Sequence, residues 1–324
     1  RKFKIAVCGT AIDQAATQVH DIGVYLIEGP DNTTGFRILA GGGLGRTPLI
    51  AQEIFDFVEK RHLLTALEAI LRVYNRLGRR DNKYKSRIKI LVKEVGADEF
   101  RAKVMDEWHK IKDGSQTLTE AEIQRCTSFF TDPAYQDKQD SPEELTGPLA
   151  QNALFQSWHE RNVRPHKRAG YAIATIALKQ TGVVPGNVSD VQLDHIADLA
   201  DTYSFGEIRV SHQQNVVLAD VEQEKLYTLW QQLQSQFLAS RNLGLLTDLI
   251  CCPGGDFCAL ANAKSIPVAE SIQRAFNDYD ELMDIGEVNI NISGCMNACG
   301  HHHVGNIGIL GVDKKGEEFY QVSL

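Results

Sequence analysis

Four cysteines near the end of the chain have the spacing that most directly indicates chemistry. Cys252 and Cys258 flank five residues, Cys295 and Cys299 flank three, and glycines accompany both pairs. Paired thiols in two glycine-rich turns predict a metal-binding cage. Structural zinc usually takes cysteines about two to four residues apart, so the wider first pair favours a cubane iron–sulfur cluster. A structural zinc module and buried, inert cysteines are the alternatives.

Two lysines at the start of the chain form a second candidate site. In the alternating sequence from Lys2 to Cys8, a strand places Lys2 and Lys4 on one face and the apolar residues on the other. A lysine that loses water can acquire a lowered pKa and act as a proton donor. From the pattern alone, a solvated strand edge protected by lysines is the competing interpretation.

Positive charge is concentrated between residues 79 and 93, in a chain that is acidic overall. We expect this segment to be a helix, on which Arg80, Lys83 and Arg87 share one face at the i, i+3, i+7 spacing. Such a face can bind carboxylates. An ordinary solvated basic face is equally compatible with the pattern.

After the strand that carries Lys2 and Lys4, further strands are predicted at 25–28 and 35–40, followed by the glycine-rich loop 41–45. A dinucleotide loop is not predicted, because Arg46 occupies the place of the last glycine in that fingerprint. A helix is predicted after Thr47 and Pro48, with apolar residues Ile50, Ile54, Phe57 and Val58 on one face. The next helix is predicted to end at Gly78.

The later elements follow a regular pattern. Ser189 and Gln192 predict a capping box, and a strand pair at 207–211 and 215–218 leads to a further amphipathic helix. This order resembles half of a ferredoxin-like unit. We expect Cys258 at a helix start, a strand ending at Cys295, and a terminal hairpin at 307–324. No internal repeat is evident.

Composition restricts the class of protein. The chain has 324 residues, 43% of them apolar, and a formal charge of −8. We therefore expect a globular protein with no nucleic-acid partner and no membrane segment. Seven cysteines are too few for a disulfide scaffold, which favours thiolate ligands in the cytoplasm. The chain opens at Arg1 within a strand pattern, without a leader, and we expect a fragment lacking its natural beginning.

Several of these motifs occur together in a known family. The Cys-x5-Cys and Gly-Cys-x-Asn-x-Cys-Gly motifs, the opening Arg-Lys-Phe-Lys, the glycine loop and Gln214-Asn215 resemble siroheme-dependent sulfite and nitrite reductases. The resemblance covers nearly the whole chain in the right order. It implies a fold in which a siroheme and 4Fe-4S domain is interrupted by a ferredoxin-like half domain.

The resemblance also implies two cofactors, siroheme and a 4Fe-4S cluster. Cys252, Cys258, Cys295 and Cys299 would be the cluster ligands, with Cys299 also bridging to the siroheme iron. Lys2 and Lys4 match the family's catalytic lysines, which surround the anion and supply protons. The basic group predicted to contact the siroheme carboxylates consists of Arg80, Lys83 and Arg87. The roles of His301, His302 and His303 stay open.

The reaction implied is the six-electron reduction of sulfite to sulfide, with nitrite reduction to ammonia as the alternative. A non-catalytic iron–sulfur electron carrier is the alternative from another class. Because the chain has no flavin or nicotinamide motif, the electrons would come from a partner, either ferredoxin or a flavoprotein reductase.

The fold class expected is α+β, with mixed sheets and helices. We predict a first siroheme-binding domain at 1–115, truncated at its amino end, and a connector at 116–160. A ferredoxin-like half domain at 161–240 and a 4Fe-4S and siroheme-binding domain at 241–324 would follow.

Overall fold

The computed structural model describes residues 3–29 and 32–324. Its contacts divide the chain into two compact units, Arg1–Thr131 and Asp132–Leu324. Both units combine helices with sheets, so the predicted α+β class is confirmed. Within the described ranges, no helix is long and apolar enough to cross a membrane.

The first unit is a sheet covered by helices. The strands, in the spatial order β1-β2-β3-β4, are β1 (Ile5–Cys8), β2 (Ile22–Glu28), β3 (Thr34–Ala40) and β4 (Gln52–Glu59). The first pair is parallel and the other pairs are antiparallel. The helices are α1 (Leu63–Leu77), α2 (Ile88–Val95), α3 (Ala97–Ile111) and α4 (Glu120–Thr127).

Helix α1 confirms the predicted helix that ends at Gly78, whose N–H donates to the Tyr74 carbonyl. Its buried face contains Ala66, Ala69 and Ile70, and these pack into the core formed by the strands and α3. Small residues at two of these positions allow the helix to approach the sheet closely.

The prediction of a helix after Thr47 and Pro48 is wrong, because this segment forms strand β4. Ile54, Phe55 and Val58 are buried there, while Ile50 is 56% exposed. Register shifts in the β3–β4 pairing allow neighbouring residues to be buried together, which imitates the spacing of a helix. The aromatic and β-branched residues of this segment favour a strand.

The second unit begins with a helical segment and a second sheet. The helices around it are α5 (Glu143–Gln151), α6 (Ala153–Asn162), α7 (Asp190–Tyr203) and α8 (Leu226–Ser235). The strands, in the order β5-β6-β8-β7, are β5 (Val163–Pro165), β6 (Tyr171–Ile176), β7 (Arg209–Val210) and β8 (Val216–Glu222). A large core that includes Trp158, Phe155 and Leu218 fills the space between them.

The predicted elements of this region are confirmed in outline. Helix α7 begins with the capping box, in which Ser189 and Gln192 exchange hydrogen bonds of 3.0 and 3.1 Å. Strands β7 and β8 pair antiparallel, and α8 follows them. The strand, helix, strand, strand, helix order is that of a ferredoxin-like half domain.

A third sheet contains the cysteine segments. Its order is β12-β11-β10-β9, with β9 (Ile250–Cys251), β10 (Ile290–Ser293), β11 (Ile307–Lys314) and β12 (Glu317–Ser323). Strands β9, β10 and β11 are parallel, and β12 completes the predicted antiparallel hairpin. The helices between β9 and β10 are α9 (Gly254–Phe257), α10 (Ile266–Ala275) and α11 (Tyr279–Ile285).

The two units share an internal structural repeat that the sequence did not reveal. Strands β1 and β2 pair in parallel from Ile5 and Ile22, and β10 and β11 pair in the same way from Ile290 and Ile307. In each unit, an antiparallel strand lies on the far side of the second member of the pair. The same strand-loop-strand design therefore occurs twice.

Hydrogen bonds at the start of each parallel pair strengthen this correspondence. The Lys4 N–H donates to the Asp21 carboxylate, 17 residues later, at 3.1 Å. The Asn289 N–H donates to the Asn306 side chain, also 17 residues later, at 3.0 Å. Few side chains are shared between the two loops, so pattern comparison does not find the repeat.

We predict that both copies of the repeat require glycine at the same place in the second strand. A methyl group on Gly23 would lie 2.6 Å from the Thr17 carbonyl oxygen, and one on Gly308 would collide with the His302 carbonyl oxygen. We expect Gly23→Ala and Gly308→Ala each to lower the free energy of unfolding by about 1–3 kcal/mol, measured by denaturant titration.

Gly9→Ala is the matched control, because its added methyl group would lie at an ordinary 3.7 Å from Leu26. We expect it to change stability by less than about 0.5 kcal/mol. Equal losses in all three variants would contradict the steric explanation.

Candidate functional site

Two parallel strands bring the two cysteine segments together. Cys252 follows β9 directly, and the Cys252 N–H donates to the Ile292 carbonyl of β10 at 3.1 Å. The Gly294 N–H, just after β10, donates to the Cys252 sulfur at 3.0 Å. Because parallel strands end at the same sheet edge, Cys252 and Cys295 lie in neighbouring loops.

Cys258 is tied to the same loops through the backbone. It lies at the carboxyl end of the short helix α9, where its N–H donates to the Gly254 carbonyl at 2.9 Å. The prediction that Cys258 starts a helix is therefore wrong; Pro253 and two glycines begin the helical turn earlier. The next turn returns to β10, since the Asn262 N–H donates to the Gly294 carbonyl at 2.8 Å.

The last cysteine lies in a tight turn. The Ala298 N–H donates to the Cys295 carbonyl at 3.1 Å, and both Ala298 and His301 have left-handed backbones, with φ of 54° and 55°. Cys295 is buried, whereas Cys299 is exposed. The turn thus presents two thiols to different surroundings.

The loops form a cradle that accepts no additional side chain. A methyl group on Gly294 would lie 2.8 Å from the Gly254 α-carbon and 2.9 Å from the Ser265 hydroxyl. The Ser265 hydroxyl also lies 3.5 Å from the Cys252 sulfur. Thiols with N–H and O–H groups around them are the donor set that suits an iron–sulfur cluster.

The side chains are not gathered around one point. Among residues 3–29 and 32–324, no three His, Cys, Asp or Glu side chains are grouped so that they could hold a single ion. In a cubane cluster each cysteine binds a different iron, so the ligands stand farther apart than those of one ion.

Cys251, next to the first ligand candidate, has a different environment. It is 4% exposed, and burial raises the pKa of its thiol to about 12. Its sulfur donates to the Cys252 carbonyl at 3.2 Å. The raised pKa keeps Cys251 protonated at neutral pH, and Cys8 and Cys126 lie in the other unit.

Of the two predicted catalytic lysines, Lys2 lies outside the described residues. Lys4 precedes β1, and the Lys4 carbonyl accepts the Ile22 N–H at 3.2 Å. Asp21, whose side chain is 1% exposed, accepts the Lys4 N–H and two hydrogen bonds from Arg87 at 2.8 and 3.0 Å. The Lys4 backbone is thus fixed by the buried carboxylate of Asp21, which is paired with the half-buried Arg87. Burial, and then the charge of Lys4, lower the pKa of His20.

The predicted helix face of Arg80, Lys83 and Arg87 does not exist. Helix α2 begins only at Ile88, and residues 79–87 form turns. The Asn82 side chain accepts the Tyr84 N–H at 2.9 Å, which favours a turn over a helix. The three cations therefore do not share a helix face.

Each of these cations has its own surroundings. Arg80 donates to the Asn75 side chain at 3.0 Å and stacks over the Tyr74 ring at 4.9 Å. Lys83 lies 5.2 Å from the Tyr84 ring. Arg87 is the partner of Asp21.

Sequence analysis missed a buried cation, Lys89. It is 7% exposed and donates to the carbonyls of Leu44 and Thr47 at 2.9 and 2.6 Å. Burial, and then the charge of Arg87, lower the pKa of Lys89. Gly43 packs against its side chain, where an added methyl group would lie 2.9 Å from the Lys89 δ-carbon. The glycine loop therefore serves to enclose this lysine.

The three histidines after Cys299 differ in exposure. His302 is 2% exposed, and burial together with the neighbouring His303 and His301 lowers its pKa to about 4. Neither ring nitrogen of His302 has a hydrogen-bond partner among the described residues. The lowered pKa keeps His302 neutral at physiological pH.

The chain is similar to known proteins along most of its length. Residues 1–112 match the nitrite and sulphite reductase 4Fe-4S domain, and residues 175–236 match the nitrite/sulfite reductase ferredoxin-like half domain. The chloroplastic ferredoxin–nitrite reductase of Betula pendula is 26% identical over 98% of this chain and 48% of its own length. Sulfite reductase [ferredoxin] 2 of Mycolicibacterium paratuberculosis is 27% identical over 96% of this chain and 49% of its own length.

Among solved structures, the NirA protein of Mycobacterium tuberculosis has the same fold. It aligns with 97% of this chain and 52% of its own, with a TM-score of 0.67 and 23% identity. The chain spans about half the length of the curated relatives it matches.

These similarities point to the nitrite and sulfite reductase class. Both family models and both relatives match the siroheme-dependent sulfite and nitrite reductase family, whose members carry siroheme and a 4Fe-4S cluster. The four cysteines lie beyond both matched ranges.

We predict that Cys251 resists alkylation in the native protein. With its pKa raised to about 12, Cys251 has roughly a thousandfold less thiolate at pH 8 than a free cysteine, and burial hinders access further. Timed iodoacetamide labelling with peptide mass spectrometry should modify the exposed Cys126 first. Comparable rates at Cys126 and Cys251 would contradict the burial of Cys251.

Proposed function

We propose that this chain forms part of a siroheme enzyme that reduces sulfite to sulfide. Cys252, Cys258, Cys295 and Cys299 would hold the 4Fe-4S cluster, and Cys299 would also contact the siroheme iron. The observation that supports this proposal is the meeting of both cysteine segments at one edge of the β9–β10 pair. When bound, the two cofactors would supply the electrons and the iron that receives the anion.

The cysteine loops would do more than bind metal. As cluster ligands the cysteines must be thiolates, and the Gly294 N–H already donates to the Cys252 sulfur at 3.0 Å. Such a hydrogen bond stabilises negative charge on sulfur and so favours the reduced cluster. The glycine cradle keeps other side chains away from the sulfur.

Lys2 and Lys4 would bind the anion and deliver protons as its oxygens leave as water. The Asp21–Arg87 pair supports this role, because Asp21 holds the Lys4 backbone in place. Lysine is suited to both tasks, since its ammonium group attracts anions and can lose a proton when desolvated. Arg80 and Lys83 are exposed cations that can meet siroheme carboxylates individually, whereas Arg87 already binds Asp21.

Sulfite is our proposed substrate, and nitrite is the second candidate because relatives bearing both names match at 27% and 26% identity. The names of the same relatives support ferredoxin as the electron donor. Cysteines in metal-binding turns fit a reducing location such as the cytoplasm.

We predict that changing a ligand cysteine removes the cluster. Cys252→Ser and Cys299→Ser should each lose most of the iron and labile sulfide that the purified protein contains, because serine is a poor ligand for this cluster. Cys126→Ser is the control and should keep both. Iron and sulfide analysis with EPR of the reduced protein measures the outcome.

Two results would refute the proposal in different ways. Zinc without iron in the unmodified protein would favour the structural module, and a cluster without siroheme absorbance would favour an electron carrier.

The choice of anion is testable by steady-state kinetics. We expect kcat/KM for sulfite to exceed that for nitrite when reduced ferredoxin supplies electrons, and Lys4→Ala to reduce it by about a hundredfold or more. A higher kcat/KM for nitrite would assign the protein to the second candidate function.

A further inference from the structure

Gln214 has a backbone conformation that its residue type does not favour. It ends the turn between β7 and β8, where its φ is 60° and its N–H donates to the Ser211 carbonyl at 3.1 Å. This left-handed conformation is less favourable for a residue with a side chain than for glycine. Strain of this kind is often retained where a side chain has a task.

The Gln214 side chain binds the strand that leads to Cys252. Its oxygen accepts the Cys251 N–H at 2.9 Å, and its nitrogen donates to the Cys251 carbonyl at 2.8 Å. Strand β9 pairs with β10 on one edge, and the carboxamide occupies the other edge. The carboxamide thus pairs with both the N–H and the carbonyl of Cys251, as the backbone of a neighbouring strand would.

Adjacent residues bind the same segment. Asn215 donates to the Asp248 carboxylate at 3.0 Å and accepts the Leu178 N–H. The other Asp248 oxygen accepts the Gly244 N–H at 3.0 Å. The turn that contains Gln214 is therefore joined to both ends of the segment 244–251.

A buried ion pair completes this network. The Lys179 side chain is 0% exposed, and its nitrogen donates to the Gln213 carbonyl at 2.6 Å and lies 3.4 Å from the Asp248 carboxylate. Buried polar groups stabilise one arrangement strongly when all are paired, because any displacement leaves a group unpaired. The network thus fixes the Gln214 turn relative to β9.

We propose that Gln214 is a positioning residue for the cluster ligand Cys252. By holding both backbone groups of Cys251, it keeps the end of β9 in register, so that the Cys252 sulfur stays against the Gly294 N–H. The inference rests on the proposed function, in which Cys252 is a ligand. It gives the ferredoxin-like half domain a direct part in holding the cluster.

The deciding variant is Gln214→Gly, which removes the carboxamide and also relieves the backbone. If Gln214 is only a turn residue, glycine should be as good or better in every respect. We expect instead a Tm within about 3 °C of the unmodified protein, because the relieved backbone offsets part of the lost hydrogen bonding. Iron release to a ferrous chelator from the reduced protein should be about tenfold faster.

A second readout does not depend on the cluster. Hydrogen exchange of the Cys251 amide in the purified full chain should also be about tenfold faster in Gln214→Gly, because its acceptor is gone. Gln213→Ala is the matched control: it shortens the neighbouring glutamine but keeps the carbonyl that accepts Lys179. We expect the control to match the unmodified protein in both measurements.

The outcomes separate the two proposals. Unchanged iron release in Gln214→Gly, from a protein that does carry the cluster, would overturn this inference and leave the proposed function standing. A loss of iron in step with a large fall in Tm would assign Gln214 a general folding role and also overturn it. An unmodified protein that binds no 4Fe-4S cluster would overturn both.

Discussion

The parallel pairing of β9 with β10 is the constraint on which the cysteine site depends. Residues 252 and 295 are far apart in the chain, and this pairing places their loops at one sheet edge. The pairing also aims the Gly294 N–H at the Cys252 sulfur. Strand β9 is only two residues long, so its own ladder is weak and needs support from outside the sheet. Packing of Leu249 and Ile292 in the adjoining core supplies part of that support.

The internal repeat shows how one backbone design can serve two kinds of chemistry. In both units, a side chain at the end of the crossover loop holds the backbone at the start of the first strand. Asn306 does this as a neutral amide, whereas Asp21 adds a charge that binds Arg87. The loop between β10 and β11 carries thiols, whereas the corresponding loop in the first unit ends at Asp21, which binds Arg87. The scaffold fixes positions, and the residues placed there determine what can bind.

Sequence reasoning succeeded where the signal is local and failed where it depends on distant contacts. The capping box of Ser189 and the helix ending at Gly78 follow from short-range chemistry, and both are confirmed. Strand β4 was missed because bulges disturb its alternation. The turns at 79–87 were predicted as a helix because a charge pattern does not distinguish a helix face from turns. Gln214 contacts Cys251, which lies 37 residues later in the chain, and no periodicity in the sequence could indicate that contact.

The four cysteines of the site differ in their exposure to solvent. Cys295 is buried beneath the loops, and Cys299, four residues later, is exposed. The left-handed residue Ala298 reverses the chain between them and so separates their surroundings. A thiolate that binds a cluster and also contacts a second metal needs space on more than one side of its sulfur. Cys299 is more exposed than the other three cysteines of the site, so the proposed shared ligand is also the ligand with the most room.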